Sequence, residues 1–113
     1  MSVIDVSVQT GDGVVTVGLT GELDISNAQR VEQELQRVEE DDAGAIVLDL
    51  RKLVFMDSTG LRLVVAADAR ARERGRRFAL VAGPEAVHRV FKITYVDRRL
   101  DFVEDPADAR TAT

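Results

Sequence analysis

Four consecutive residues, Asp57-Ser58-Thr59-Gly60, carry the strongest chemical signal in this sequence. An acid precedes two hydroxyls and a glycine at the point where a loop becomes a helix. One reading is structural: Asp57 or Ser58 caps the helix and satisfies free backbone N–H groups, while Gly60 relaxes the turn. The other is a modification site. A phosphate on Ser58 would sit at the positive end of a helix dipole, beside unpaired N–H donors, and would add roughly -1.5 to -2 charge next to Asp57. A nucleophilic serine needs a base within reach and an oxyanion hole. The only histidine is His88, which pattern places beside an apolar helical stripe, and a lone helical histidine is expected to be exposed. No glycine-serine-glycine elbow is present. Asp24, Asp49 and Asp57 could form a metal or phosphoacceptor cluster, but each also reads as a helix cap or strand-end acid. Gly11 and Gly13 lie in a hairpin turn, not between a strand and a helix, so they do not form a phosphate cradle.

Composition narrows the classes. The chain has 113 residues, 45% hydrophobic and 31% charged, which fits one folded domain. Its core is expected over about residues 3–105, with a polar tail from 106 to 113. There are no cysteines, so disulfides, thiolate metal sites and cysteine nucleophiles are excluded. A single histidine excludes a multi-histidine metal cage. No apolar run approaches the ~20 residues that span a bilayer, and Met1-Ser2-Val3-Ile4-Asp5 lacks a basic leader region. A cytoplasmic location follows as an expectation. The net charge of -5 argues against direct nucleic-acid binding. It divides unevenly: eleven acids and two bases precede Arg51, and thirteen bases and nine acids follow from it. Arg70, Arg72, Arg74, Arg76 and Arg77 read as a solvated helix end or as a phosphate-binding stripe.

The elements that must position the motif are legible from periodicity. Ile4, Val6 and Val8 alternate with polar residues, as do Val15, Val17 and Leu19, with Gly11-Asp12-Gly13 between them. This predicts an antiparallel hairpin ending near Thr20. Asp24, Ser26 and Asn27 are competent caps, and Ser26 with Gln29 has capping-box spacing. Ala28, Val31, Leu35 and Val38 predict a helix to about Glu40, ended by Asp41-Asp42-Ala43-Gly44. The apolar run Ala45–Leu50 predicts a strand buried on both faces. A connector with Leu53, Phe55 and Met56 leads to Asp57. A long helix then runs to Gly75, a strand covers Arg77–Ala82, and Pro84 opens a helix at its first position. Val87, Val90, Phe91 and Thr94 form that helix's stripe. Asp101–Glu104 reads as a short last strand, and residues from Asp105 as frayed or a final helical turn. The expected architecture is α/β, with a mixed sheet of four to five strands and four or so helices.

Two segments, Gly21-Glu22-Leu23-Asp24 and Met56-Asp57-Ser58-Thr59-Gly60-Leu61, together with Phe78–Val81 and Val87–Phe91, resemble the STAS domain, most closely its free-standing anti-sigma-factor antagonists. The resemblance spans about Val3 to Asp105. It implies a non-enzymatic regulator that needs no cofactor. It implies phosphorylation of Ser58 by an anti-sigma factor with serine kinase activity, reversal by a serine phosphatase, and partner contacts at Asp57, Thr59, Gly60, Leu61 and Arg62. Gly21, Glu22 and Asp24 match a second contact patch. Leu61 is either an apolar contact or core. No membrane partner is implied, and the state expected is a monomer or weak dimer. STAS domains also act as scaffolds in stress-sensing complexes and as accessory subunits of lipid transporters, which is the alternative. Two residues depart from the pattern. Arg62 replaces a glycine or small residue; it would pair with a phosphate at Ser58, stay in solvent, or tune partner choice. Tyr95 stands where relatives often have glycine after a helix.

Overall fold

The computed structural model describes residues 2–40 and 44–109. The helix end expected at Asp41-Asp42-Ala43 lies outside the described residues. Strands β1 (Ile4–Gly11) and β2 (Val14–Leu23) form the predicted hairpin. Its turn uses Asp12 and Gly13, both at positive φ, the conformation that two-residue hairpin loops require. Helix α1 (Ala28–Glu39), strand β3 (Ala45–Met56), helix α2 (Ser58–Glu73), strand β4 (Arg77–Val81), helix α3 (Glu85–Ile93) and strand β5 (Asp101–Val103) follow. Short 3-10 turns cover Val96–Arg98 and Pro106–Ala109. The sheet order is β1-β2-β3-β4-β5, antiparallel at β1/β2 and parallel beyond. Among the described residues the sheet has five strands, and three α-helices pack on it.

Alternation along the strands makes two layers. Val15, Val17, Leu19, Ile46, Leu48, Leu50, Phe78 and Leu80 face all three helices. Val31, Leu35 and Val38 of α1, Leu63, Val64 and Ala67 of α2, and Val87 and Phe91 of α3 close that side. On the other side Val14, Ala45, Val47, Ala79 and Val81 pack under Ala109 of the last 3-10 turn. The two-faced burial read from Ala45–Leu50 thus has a specific cause: the Pro106–Ala109 turn packs over the second face. Asp49 stands where that cover gives way, and Arg51 grips its carboxylate with bonds of 2.8–3.2 Å.

Several boundaries differ from expectation. The segment Leu53–Met56 is the end of β3, not a connector, and Gly21–Leu23 is the end of β2. Both continue because they pair with each other: Gly21 with Leu53, Glu22 with Phe55, Leu23 with Met56. Register shifts between Gly18 and Thr20 and between Gly21 and Glu22 break the alternation that would have revealed them. The capping box does not form. Asn27 is the cap residue of α1, and its side chain instead accepts from the Asp24 N–H and donates to the Glu22 carbonyl. Pro84 precedes α3 rather than opening it, and Thr94 is exposed, its hydroxyl donating back to Val90 and Phe91 carbonyls.

The arginine cluster is neither a free phosphate stripe nor merely solvated. Arg70 forms a two-bonded fork on Glu39 at 2.7 and 2.8 Å and an ion pair with Glu32 at 2.7 Å. Arg74 and Arg76 both donate to the Glu39 carbonyl, at 3.0 and 2.9 Å. These cations occupy the carbonyl end of α1, where a helix leaves acceptors unpaired. They fix α2 against α1, and with it the motif at the start of α2.

Candidate functional site

The parallel ends of β2 and β3 bring the two sequence motifs side by side. Beyond the Leu23–Met56 pair, the Asp57 N–H donates to the Leu23 carbonyl at 3.3 Å. Asp57 is the N-cap of α2. Its Oδ1 accepts from the N–H of Thr59 at 2.9 Å and of Gly60 at 3.3 Å. The Leu61 N–H returns to the Asp57 carbonyl at 3.2 Å. Of the two residues competent to cap, Asp57 therefore does so, which leaves the Ser58 hydroxyl out of the capping network. Ser58 is the first residue of α2 and is exposed.

Gly60 has a packing reason. A Cβ there would stand 2.5 Å from Met56 Cγ and 3.0 Å from Leu23 Cδ2, so the helix can start this close to the sheet only without a side chain. Gly21 has φ +115, and a Cβ would strike the Val3 carbonyl. Asp24 is held by hydroxyls from Ser2 and Ser26, the latter at 2.6 Å, and by the Ser26 N–H at 2.9 Å. The Ser2 hydroxyl first, then Ser26, keeps its carboxyl below the usual range. Asp24 thereby organises the loop entering α1. Glu22 is exposed beside it, and Leu61 is half-buried and packs against the core.

Thr59 and Arg62 line a cleft of about 320 Å³ between α1 and α2, together with Ala28, Gln29, Glu32 and Leu63. Arg62 is exposed. Three exposed apolar residues adjoin the two motifs along the chain: Ile25, just after Asp24, is 80% exposed, and Val54 and Phe55, just before Met56, are 62% and 48% exposed. The signal was available in Leu53-Val54-Phe55-Met56, a four-residue apolar run of which only Leu53 and Met56 are buried.

The structure does not assemble the enzymatic alternatives. His88 is half-buried rather than exposed; its ring meets Phe102 edge-on at 4.9 Å and lies 6.1 Å from Phe91. It borders a cavity lined by Val81, Ala82, Phe102 and Val103, of which Ser58 is not part. Among the described residues no three acidic or histidine side chains converge as a metal site, so Asp24, Asp49 and Asp57 stay separate. No described helix is long and apolar enough to cross a membrane.

Comparison with known proteins agrees with this geometry. The STAS domain family model matches residues 5–109. The anti-sigma-F factor antagonist RsfB of Mycobacterium tuberculosis is 27% identical over 108 residues, covering 96% of this chain and 88% of that one. The anti-sigma-B factor antagonist of Staphylococcus aureus is 26% identical over 91 residues, covering 80% and 84%. A crystal structure of an anti-sigma factor antagonist from Mycobacterium paratuberculosis superposes with a TM-score of 0.85 at 30% identity, covering 95% and 91%. The chain belongs to the STAS domain family, among relatives that are anti-sigma-factor antagonists.

Proposed function

We propose that this protein is an anti-sigma-factor antagonist switched at Ser58. With Ser58 unmodified it binds an anti-sigma factor that is also a serine kinase, and the sigma factor is released. The kinase then transfers the γ-phosphoryl group of ATP to Ser58 Oγ. The Oγ–P bond forms, the bond from that phosphorus to the β,γ-bridging oxygen breaks, ADP leaves, and the hydroxyl proton passes to a base of the kinase or to water. The phosphorylated antagonist dissociates, and a serine phosphatase restores it by hydrolysis. The setting is the cytoplasm.

The observation that carries this reading is the division of labour between Asp57 and Ser58. Asp57 performs the capping, so Ser58 is exposed and chemically spare at the first position of α2. A phosphate there is favoured by the helix dipole, so modification leaves the fold intact. In an interface the effect reverses. Exposed Ile25, Val54 and Phe55 offer apolar contact, and a dianion carried into such an interface must be desolvated at high cost unless cations meet it. A coupling of ~1–3 kcal/mol, or about 5–150-fold, is enough to exchange partners. In this reading Glu22, Thr59, Leu61 and Arg62 supply contacts, while Gly21, Asp24, Asp57 and Gly60 hold the backbone that presents them.

The test is incubation with the cognate kinase and ATP, followed by phosphosite mapping. One phosphate on Ser58 is expected. Phosphate elsewhere, or none with a kinase active on itself or on another substrate, overturns the reading.

A further inference from the structure

We propose that Arg62 is the built-in counter-ion of a phosphate on Ser58, so that modification ties up a guanidinium as well as a hydroxyl. This rests on the reading of Ser58 as the modified residue. Both residues lie in α2, four positions apart, which places their side chains on one face with Cβ atoms about 6 Å apart. The acidic partner comes first, the favourable order for an i,i+4 pair. Arg62 is exposed and, among the described residues, engages no hydrogen bond or ion pair, whereas Arg70 and Arg72 of the same helix are committed to Glu39 and Asp68. The nearby acids do not claim it. Glu32, across the cleft, is occupied by Arg70 at 2.7 Å and Gln36 at 3.2 Å. Asp57 accepts from the Thr59 and Gly60 amides. A phosphoserine adds three strong acceptor oxygens within reach of a planar, two-pronged donor.

The consequence is a switch read at two residues. In the unmodified protein Arg62 is free to meet a partner's carboxylate; in the phosphorylated protein it folds back on Ser58. The same pairing shields the phosphate and slows its removal.

The clamp is tested on the full chain carrying phosphoserine inserted at position 58 during translation, which needs no kinase. The phosphate is titrated by ³¹P NMR in the otherwise native chain and in its Arg62→Ala and Arg62→Lys forms. Asp57, Glu32, Glu22 and Asp24 are the carboxylates of this corner, and all are present in the three chains, so the comparison isolates residue 62. The native chain is expected to lose its second phosphate proton about 0.2–0.4 pH unit below the alanine variant, with lysine in between. Raising salt should narrow the gap. Alkaline phosphatase should release phosphate from the alanine variant about 1.5- to 2-fold faster. Coincident titration curves for native and alanine chains overturn the clamp. The outcome separates from that of the switch itself. A kinase that labels Ser58 with coincident curves leaves the switch and removes the clamp; a shifted curve without kinase labelling does the reverse.

Discussion

The Asp57 N–H donates to the Leu23 carbonyl, which extends the Leu23–Met56 pairing of the two segments that define the site. Leu23 ends β2 and Asp57 follows β3, so the first turn of α2 is registered against the sheet rather than hanging from a loop. The exposed Ser58 is presented from a rigid edge. That suits a residue which a second protein must find, modify and then no longer accept.

Gly60→Ala tests this docking. The added methyl would press into Met56 Cγ and Leu23 Cδ2. Destabilisation of about 1–3 kcal/mol is expected in urea unfolding, with far-UV helicity retained. A neutral result would mean α2 is not seated on Leu23 and Met56.

Asp57→Ala should cost about 1 kcal/mol through loss of the cap, and Asp57→Asn much less, since its amide oxygen still accepts from Thr59 and Gly60. Hydrogen exchange at the Thr59 and Gly60 amides should quicken in the alanine variant alone.

Arg70→Ala should remove about 1–3 kcal/mol, because Glu39 is left buried with a charge that has lost its fork. Equilibrium denaturation measures this directly. A loss below a few tenths would show that the α1–α2 contact rests on its apolar residues.

Tyr95 stands at φ +60, just past the C-terminus of α3, and is 65% exposed. This is the left-handed position where glycine is the usual residue. Its ring carries the Arg98 guanidinium at 5.1 Å. Tyr95→Gly is therefore expected to raise stability by about 0.5–1 kcal/mol in thermal or urea melts. A decrease would show that the Arg98 contact outweighs the backbone strain.

Asp49 supplies a pH signature. Partial burial acts to raise its carboxyl pKa, but the Arg51 hydrogen bonds and charge together outweigh it, and the net shift is downward. A folded-state value below the unfolded one stabilises the protein above the unfolded value, about 3.9, and that contribution is lost as pH falls through the folded value. The native chain should exceed Asp49→Asn in stability at pH 6–7, with the gap closing progressively below about pH 4. A gap independent of pH would mean the contact is not ionic.

The parts legible in the sequence were those governed by one dominant periodicity. Val31, Leu35 and Val38 marked α1, and Ala45–Leu50 marked a strand covered on both sides. The Asp57 cap was legible because the residue type and the helix start coincide. What escaped was set by partners distant in sequence. The last turns of β2 and β3 are strands only because they pair across bulges. The arginine cluster reads as solvated until Glu39, thirty-one residues before Arg70, supplies its acceptors. His88 looked exposed on its own helix and is half-buried because Phe102 of β5 packs on it.

The central claim is that one phosphate on Ser58 decides binding. Calorimetric titration of the cognate anti-sigma factor with the unmodified chain and with the chain carrying phosphoserine at position 58 tests it most directly. The account predicts measurable affinity for the first and at least about a fivefold loss for the second, with Ser58→Ala behaving like the unmodified chain. Equal affinity of the modified and unmodified chains would contradict it.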